Sequence, residues 1–392
     1  MVNVATPSRA RKVRSLEVIL KSAERCNIAC TYCYFFFGES ANFHKHPPYI
    51  SRDVLEDVAQ FLREGVDDLG LESVSIDFHG GEPLMQKKVD FDFSCSLLKT
   101  TLGKKTRLNF SVQTNGMLVT PEWIDLFEKH QIHVGVSIDG PEEWHDEFRK
   151  DHLGRGTHRR VLEGIKLLQA AADANCLPQY GALCVIDPRR NPARLFEYFR
   201  DDLGLKNFDL LLPELAPPHP PEMYGQFLCD LLDYWHVRGD LSVNIRFISA
   251  FFLRMRGVSS FMFPHGDDEI THRILKISSD GHLYPDDVIH DDAWATPLTR
   301  ETTLKKFLDS DYFRIVDDLS LQSPAACQAC CWERVCRGGH PWNRHVPGAG
   351  FNRSSTLCVG LKTFYAHAVA YMLRNGKTMP EVLGMLDLGA TH

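Results

Sequence analysis

Arg25-Cys26-Asn27-Ile28-Ala29-Cys30-Thr31-Tyr32-Cys33-Tyr34 follows almost directly on Leu16-Glu17-Val18-Ile19-Leu20-Lys21. The alternation of the earlier stretch reads as a first strand, and the strand ends just before the cysteines. Three cysteines in the pattern C-x3-C-x2-C, with an aromatic on either side of the last, then fall in the loop after it. A flexible loop at this spacing can fold three thiolates onto three irons of a 4Fe–4S cube. The fourth iron then has no protein ligand and is open to a small molecule, whereas ferredoxin spacings supply four cysteines and close every iron. A zinc knuckle is the alternative that spacing alone leaves open.

The strand-then-loop pattern repeats outward from this point. Ser51 starts a helix with Asp53 and Glu56 in its first turn and an apolar stripe at Val54, Val58 and Leu62. Ser73–Phe78 reads as a second strand running into His79-Gly80-Gly81-Glu82-Pro83. A helix through Phe93, Leu97 and Leu98 leads to a third, Leu108–Val112, followed by Gln113-Thr114-Asn115-Gly116. Helix Pro121–Lys129 precedes strand Ile132–Ile138, which ends in Asp139-Gly140-Pro141. Helix Thr157–Ala171 precedes strand Tyr180–Ile186, and helix Ala193–Asp201 precedes strand Asn207–Leu212. Six such units predict an α/β fold of parallel strands with crossover helices. Periodicity does not choose between an open doubly wound sheet and a barrel, but in both the loops after the strands carry the site.

The pattern shifts after Pro213. Pro217, Pro218, Pro220 and Pro221 predict a rigid linker, Met223–Trp235 a helix, and Asn244–Met255 an apolar, aromatic segment. Ile274–Ile277 and His282–Tyr284 around Asp280-Gly281 predict a small hairpin. Short apolar segments at Leu304–Phe307 and Phe313–Val316 follow, and a helix is expected at Phe364–Leu373. The expected organisation is a flexible leader at 1–14, a barrel at 15–215, a linker and helical bridge at 216–270, a cysteine-bearing domain at 271–375 and a soft tail at 376–392.

Composition narrows the function classes. A formal charge of -7 over 392 residues leaves no basic footprint for nucleic acid. No apolar run is long enough to span a bilayer, and the basic N-terminus lacks the apolar core of a signal peptide, so a cytoplasmic protein is expected. Twelve cysteines exceed packing needs, and a disulfide framework is disfavoured in a large reduced enzyme. Cys95, Cys176, Cys184 and Cys229 lie singly in apolar surroundings and read as small buried hydrophobes. The others cluster at Cys26–Cys33 and again as Cys327-x2-Cys330-x5-Cys336-x3-His340, with Cys358 further on. Four thiolates of the second group, Cys327, Cys330, Cys336 and Cys358, suit either an iron–sulfur cluster or a structural zinc. Cys331 is a bystander or a substitute for Cys330.

C-x3-C-x2-C resembles the signature of radical S-adenosylmethionine (radical SAM) enzymes. The resemblance implies a partial (β/α)6 barrel whose open iron holds the amino and carboxylate groups of SAM and whose cluster cleaves SAM to a 5′-deoxyadenosyl radical. Gly80, Gly81 and Glu82 match the motif that contacts SAM, and Thr114, Asn115 and Ser137 match positions that line its pocket. Tyr32 joins that set, and Arg149 is expected to clamp the SAM carboxylate as a bidentate fork. The second cysteine group resembles the SPASM extension of radical SAM peptide maturases, which holds two auxiliary clusters on seven cysteines. Here His340 stands in place of the fourth cysteine, Gly281-x4-Asp286 in place of Gly-x4-Cys, and no cysteine lies between Cys229 and Cys327. One auxiliary 4Fe–4S cluster is therefore expected.

The reduced cysteine set looks most like maturases that join an aromatic ring to a nearby Cβ of a ribosomal precursor peptide, making cyclophanes. Sulfatase-type formylglycine formation, thioether formation and a non-enzymatic zinc- or cluster-bearing module are the alternatives. The partners implied are a precursor peptide and a reducing donor of the flavodoxin or ferredoxin type. Ring closure after a radical step releases a proton, so a base is needed. Asp286, His340 and Glu214 are the candidates, with Asp287 beside them.

Overall fold

The computed structural model describes residues 13–37, 42–178, 180–213, 217–240, 242–258, 272–288, 291–345 and 351–386. Seven parallel strands run in chain order across one sheet: β1 (Ser15–Ala23), β2 (Ser73–Gly80), β3 (Arg107–Thr114), β4 (Ile132–Ser137), β5 (Tyr180–Val185), β6 (Asn207–Leu211) and β7 (Asn244–Ile245). On the other side of β1 the sheet continues with β8 (His272–Ile277), parallel to it, and then antiparallel β9 (His282–Tyr284) and β10 (Thr296–Pro297). The expected hairpin is thus β8–β9, but it is an extension of the barrel sheet itself, in register from Ser15↔His272 to Leu20↔Ile277. Sequence alternation does not contain that pairing.

Alternation within each strand explains the curvature. Leu16, Val18 and Leu20 of β1, Val74, Ile76 and Phe78 of β2, and Val134 and Val136 of β4 are buried under the crossover helices. The opposite face is largely polar. Glu17, Asp77, His79, Ser111, Gln113, Ser137 and Asp209 come from five different strands, β1 among them, yet all line one cavity of about 1930 Å³. A sheet whose alternate residues face a common space is concave, so this is a partial barrel. With β10 and β7 as its two edges, it stays open.

The helices follow the predicted rhythm with local differences. Arg52–Leu69 starts at Ser51, whose hydroxyl accepts from Val54 N–H at 3.2 Å, and stops at left-handed Gly70. The helix expected at Ala193–Asp201 is a six-residue α segment, Pro192–Glu197, followed by a π turn, Tyr198–Asp202. Asn244–Met255 divides into β7 and the helix Arg246–Met255. The C-terminal helix is longer than its apolar periodicity suggested, Cys358–Arg374. It crosses Pro221–Arg238 where Gly225 meets Gly360; a Cβ on Gly360 would lie 2.0 Å from the Pro221 carbonyl oxygen. That contact fixes the start of the helix, and Cys358 with it, against the barrel. The expected soft tail contains a capped helix, Met379–Met385, because Thr378 and Glu381 form a reciprocal capping box. Among the described residues no helix is long and apolar enough to cross a membrane.

Candidate active site

The loop after β1 is shaped by its neighbours. Gly81 N–H donates to Ala23 O at 2.7 Å and Glu82 N–H to Arg25 O at 2.9 Å, so the loop after β2 lies flat on the end of β1. A Cβ on Gly80 would sit 2.0 Å from Ala23 O, and one on Gly81 would sit 2.3 Å from Arg25 O. Glycine is required here by close backbone approach. Glu82 does not line the cavity. Fully buried, it accepts from Leu84 N–H (3.0 Å), Thr114 Oγ1 (2.7 Å) and Asn115 N–H (2.7 Å), clamping the second loop to the third. Burial raises its carboxyl to about 7, against the lowering effect of the same three bonds. Of the two roles open to Glu82, charge beside a ligand or loop anchor, the geometry is that of an anchor.

Cys26, Cys30 and Cys33 are free thiols lining the cavity with Tyr32, Gly80, Gly81, Thr114, Asn115, Ser137 and Arg149. The loops after four strands therefore meet in one place. Burial pushes the Cys26 thiol up to about 12, with Glu82, Cys30 and Cys33 adding to the rise, and the Cys30 thiol up to about 11, where Arg149 works against the rise and Cys33 and Asp139 add to it. Thiols in such a site stay protonated until a metal displaces the proton. Three free thiols on one loop, all facing one cavity, are the donor types of a three-thiolate cluster site, although among the described residues they are not gathered into a metal-holding group. Asn115 Nδ2 donates to Asn27 Oδ1 at 2.7 Å and approaches Cys26 Sγ at 3.8 Å, holding the loop's first turn.

Arg149 takes a different pose from a free clamp. It is buried; Nε donates to Asp139 Oδ2 at 2.7 Å, Nη2 to Asp139 Oδ1 at 3.3 Å, and Nη1 reaches Cys30 Sγ at 3.9 Å. Asp139 in turn accepts from Tyr32 Oη at 2.5 Å and Val185 N–H at 3.1 Å. The Nε/Nη2 edge of the guanidinium is thus committed to Asp139, with Nη1 left toward the cysteine loop. Asp139 is a site residue that no motif marked; the signal was its position directly after β4.

The candidate bases separate sharply. Glu214 lies outside the described residues. His340 is exposed and does not line the cavity. The Asp286 carboxylate caps Val288 N–H at 2.9 Å and is also absent from the lining. Asp287 does line it, paired with Lys21 Nζ at 2.5 Å and accepting from Tyr34 Oη at 2.6 Å. Lys21, itself almost fully buried, also lies 2.9 Å from His79 Nδ1. Burial acts to raise the Asp287 carboxyl, but Lys21 and His79 outweigh it and hold the group well below the usual carboxylate range. Burial, with Lys21 next to it, pushes His79 down to about 4, so it is neutral at pH 7. Lys21 and His79 were missed in the sequence, although each stands at the end of its strand, in phase with the polar inward positions Glu17 and Asp77.

The second cysteine group closes around the start of the helix Cys358–Arg374. Cys330 N–H donates to Cys327 O at 3.0 Å, and the four-residue helix Glu333–Cys336 brings Cys336 back. Ser355 N–H bonds Gly338 O at 2.8 Å, joining this turn to the segment before Cys358. Buried Arg344 donates to Phe351 O and Leu319 O at 3.1 and 3.0 Å, tying its own turn to the helix Asp311–Leu321 and to the segment that leads to Cys358. Cys327 and Cys336 each feel Cys358, and burial pushes Cys336 up to about 11. The donor set fits a four-thiolate site. Cys331 is exposed. On the hairpin side, β8–β9 presents Lys276 3.9 Å over the Tyr284 ring and Asp286, with no cysteine, so its residues do not fit a second auxiliary cluster.

Residues 20–176 match the family model of the radical SAM superfamily. Over 380 residues the chain is 26% identical to the serine-type anaerobic sulfatase-maturating enzyme of Bacteroides thetaiotaomicron, covering 88% of this chain and 87% of that one. It is 28% identical over 369 residues to the cysteine-type anaerobic sulfatase-maturating enzyme of Clostridium perfringens, covering 90% and 96%. Among solved structures, native anSMEcpe with bound AdoMet and Kp18Cys peptide is similar with a TM-score of 0.79 at 24% identity, covering 92% of this chain and 98% of that one. SuiB of Streptococcus suis bound to S-adenosylmethionine gives 0.60 at 15% identity, covering 88% and 75%. The full-length likeness thus runs to sulfatase-maturating enzymes and not to the cyclophane-forming maturases expected from the cysteine pattern.

Proposed function

We propose that this radical SAM enzyme oxidises a side chain of a peptide held in the barrel cavity, removing hydrogen from a Cβ. The observation that carries this is Asp287, a carboxylate ionised by its pairing with Lys21 and facing the same cavity as the cysteine loop. When bound, the SAM-site cluster supplies the 5′-deoxyadenosyl radical. Cys26, Cys30 and Cys33 hold that cluster, while Asn115, Tyr32 and the Arg149–Asp139 pair fix the loop's shape. Asp287 accepts the proton that the oxidised substrate releases, and Lys21 and Tyr34 keep the carboxylate aimed inward. Cys327, Cys330, Cys336 and Cys358 are the residues that would hold an auxiliary cluster, which would supply an electron acceptor when bound.

Two products are compatible with this chemistry. Oxidation of a Ser or Cys Cβ to an aldehyde is favoured by the full-length likeness to sulfatase-maturating enzymes of both types. Attack of the Cβ radical on a neighbouring aromatic ring is favoured by the missing inner-cluster cysteines. The test is anaerobic reconstitution with iron, sulfide, SAM and dithionite, followed by incubation with peptides bearing Ser, Cys or a ring-x-x motif. A hydrazine-reactive aldehyde supports the first product; loss of hydrogen with a ring-to-Cβ linkage by fragmentation supports the second. Deoxyadenosine without change in any peptide would refute the peptide assignment.

A further inference from the structure

The proposed reaction uses only the upper part of the barrel cavity, which continues past Asp287 toward the starts of the strands. Across β1, β2 and β8 a polar residue stands at each of four successive inward levels. Lys21 is level with His79, Ile19 with Asp77, Glu17 with Ser75, and Ser15 with His272. Successive levels are two residues apart, about 7 Å along a strand. The titratable groups therefore descend one level at a time, from Asp287, His79 and Lys21 to Asp77, then Glu17, then His272. Asp287, His79, Asp77, Glu17 and His272 all line the one cavity.

Contacts join the lower levels. The Asp77 and Glu17 carboxyls share a hydrogen bond. Glu17 Oε2 lies 3.2 Å from His272 Nε2, and His272 Nδ1 lies 2.9 Å from Ser15 Oγ. Exposure rises along this line, from 17% for the Glu17 side chain to 39% for His272. Half-exposed Arg14, paired with Glu72, lines the cavity beside them, so the cavity reaches solvent at its floor. The step from Asp287 to Asp77 is one level, which one or two waters can span in a roomy polar cavity. The other charged groups on the floor are the Asp209–Arg246 pair, at 2.5 Å, and His133 of β4.

The electrostatics give the line a direction. Burial and the Glu17 carboxylate raise Asp77 well above the usual carboxylate range, with Asp287 adding to the rise and Arg246 opposing it. Two carboxyls in contact away from bulk water hold one proton between them. Asp287, despite its burial, is held well below that range by Lys21 and His79, so it gives up a proton readily.

We infer that Asp77, Glu17 and His272 form the exit route, through the barrel floor to solvent, for the proton that Asp287 takes from the substrate. The assignment rests on Asp287 acting as the base of the proposed reaction. A peptide seated over Asp287 covers the cavity mouth and leaves the floor open. The proton passes from Asp287 through water to Asp77. Asp77 hands its own proton to Glu17, Glu17 hands one to His272, and His272 releases one to solvent. No electron moves, and each group ends in the protonation state in which it began. The three residues touch no reacting atom; they return Asp287 to its ionised form.

The test uses the reconstituted enzyme and the peptide that it converts. At saturating peptide, Asp77→Asn and Glu17→Gln should each lower product per deoxyadenosine at least about tenfold, a smaller loss than the base itself gives. Peptide KM, iron content and the rate of deoxyadenosine formation should stay at the unmodified values, which a misfolded barrel would not allow. Asp77→Glu should keep the product ratio. His272→Ala should lose it in part and regain it with added imidazole, a diffusible proton carrier. Without any turnover, the infrared difference between unmodified enzyme and Asp77→Asn at pH 7 should contain a protonated-carboxyl band. Unchanged product ratios in both amide variants, a raised KM at unchanged kcat, or no such band would overturn the route. An unaffected Asp77→Asn beside an inactive Asp287→Asn removes the route alone; an Asp287→Asn that keeps its product ratio removes the base and the route together.

Discussion

Asp287→Asn separates a catalytic from a structural role for the buried ion pair. Losing a positioned base costs about 10²- to 10⁴-fold in the proton-transfer step. Deoxyadenosine formation needs only the SAM site, so it should continue while peptide product per deoxyadenosine falls by that factor. The same change strands Lys21, whose side chain is 1% exposed. Breaking one partner of a buried pair costs about 3–5 kcal/mol, here offset in part by His79 at 2.9 Å and the Phe35 ring 5.1 Å from the ammonium. The double variant Lys21→Met/Asp287→Asn removes both charges and should recover most of that loss while staying inactive. Denaturant melts at pH 7 and a product-to-deoxyadenosine ratio by mass spectrometry read the two quantities. The sign with pH is set as well. The Asp287 carboxyl is depressed, so its stabilisation is present above the usual carboxylate range and is lost only as pH falls through its lower folded value. Asp287→Asn should therefore leave any acid limb of activity near pH 4–6 in place. A single variant that keeps its product ratio, or a double variant as unstable as the single, would refute the reasoning.

Further outcomes follow from the same contacts. Glu82 is raised from 4.5 to about 7, so folding favours its protonated form and stability falls as pH rises through that window, by about 3 kcal/mol at about 1.4 kcal/mol per unit. Urea midpoints at pH 5 and 8 should diverge by this amount more in the unmodified protein than in Glu82→Gln; equal differences would remove Glu82 as the cause. Gly81→Ala places a Cβ 2.3 Å from Arg25 O; overpacking of this kind costs about 1–3 kcal/mol, and reconstituted iron at the first site should drop with it. Cys327→Ala or Cys358→Ser should halve cluster iron and abolish peptide product while deoxyadenosine persists. Cys331→Ser, at an exposed thiol, should change neither.

The sequence by itself determined the succession of strands and helices along the chain, the loops that carry the site and both cysteine groups. These are local properties: alternation sets which face of a strand is buried, Gly80 and Gly81 permit one backbone approach, and short spacings bring Cys26, Cys30 and Cys33 together on a single loop. What tertiary structure decided depends on pairs far apart in the chain. The β8–β9 hairpin joins the sheet through β1, from Ser15↔His272 upward, so residue 287 meets Lys21 and Tyr34. Asp286 and Asp287 are indistinguishable as neighbours in sequence; one caps a turn and the other faces the cavity. Likewise Arg149 could be expected near SAM from its motif context, but its engagement by Asp139 depends on where the end of β4 lies against the cysteine loop. Local pattern specifies which side chains are available, and only the closure of the sheet selects which of them share a space.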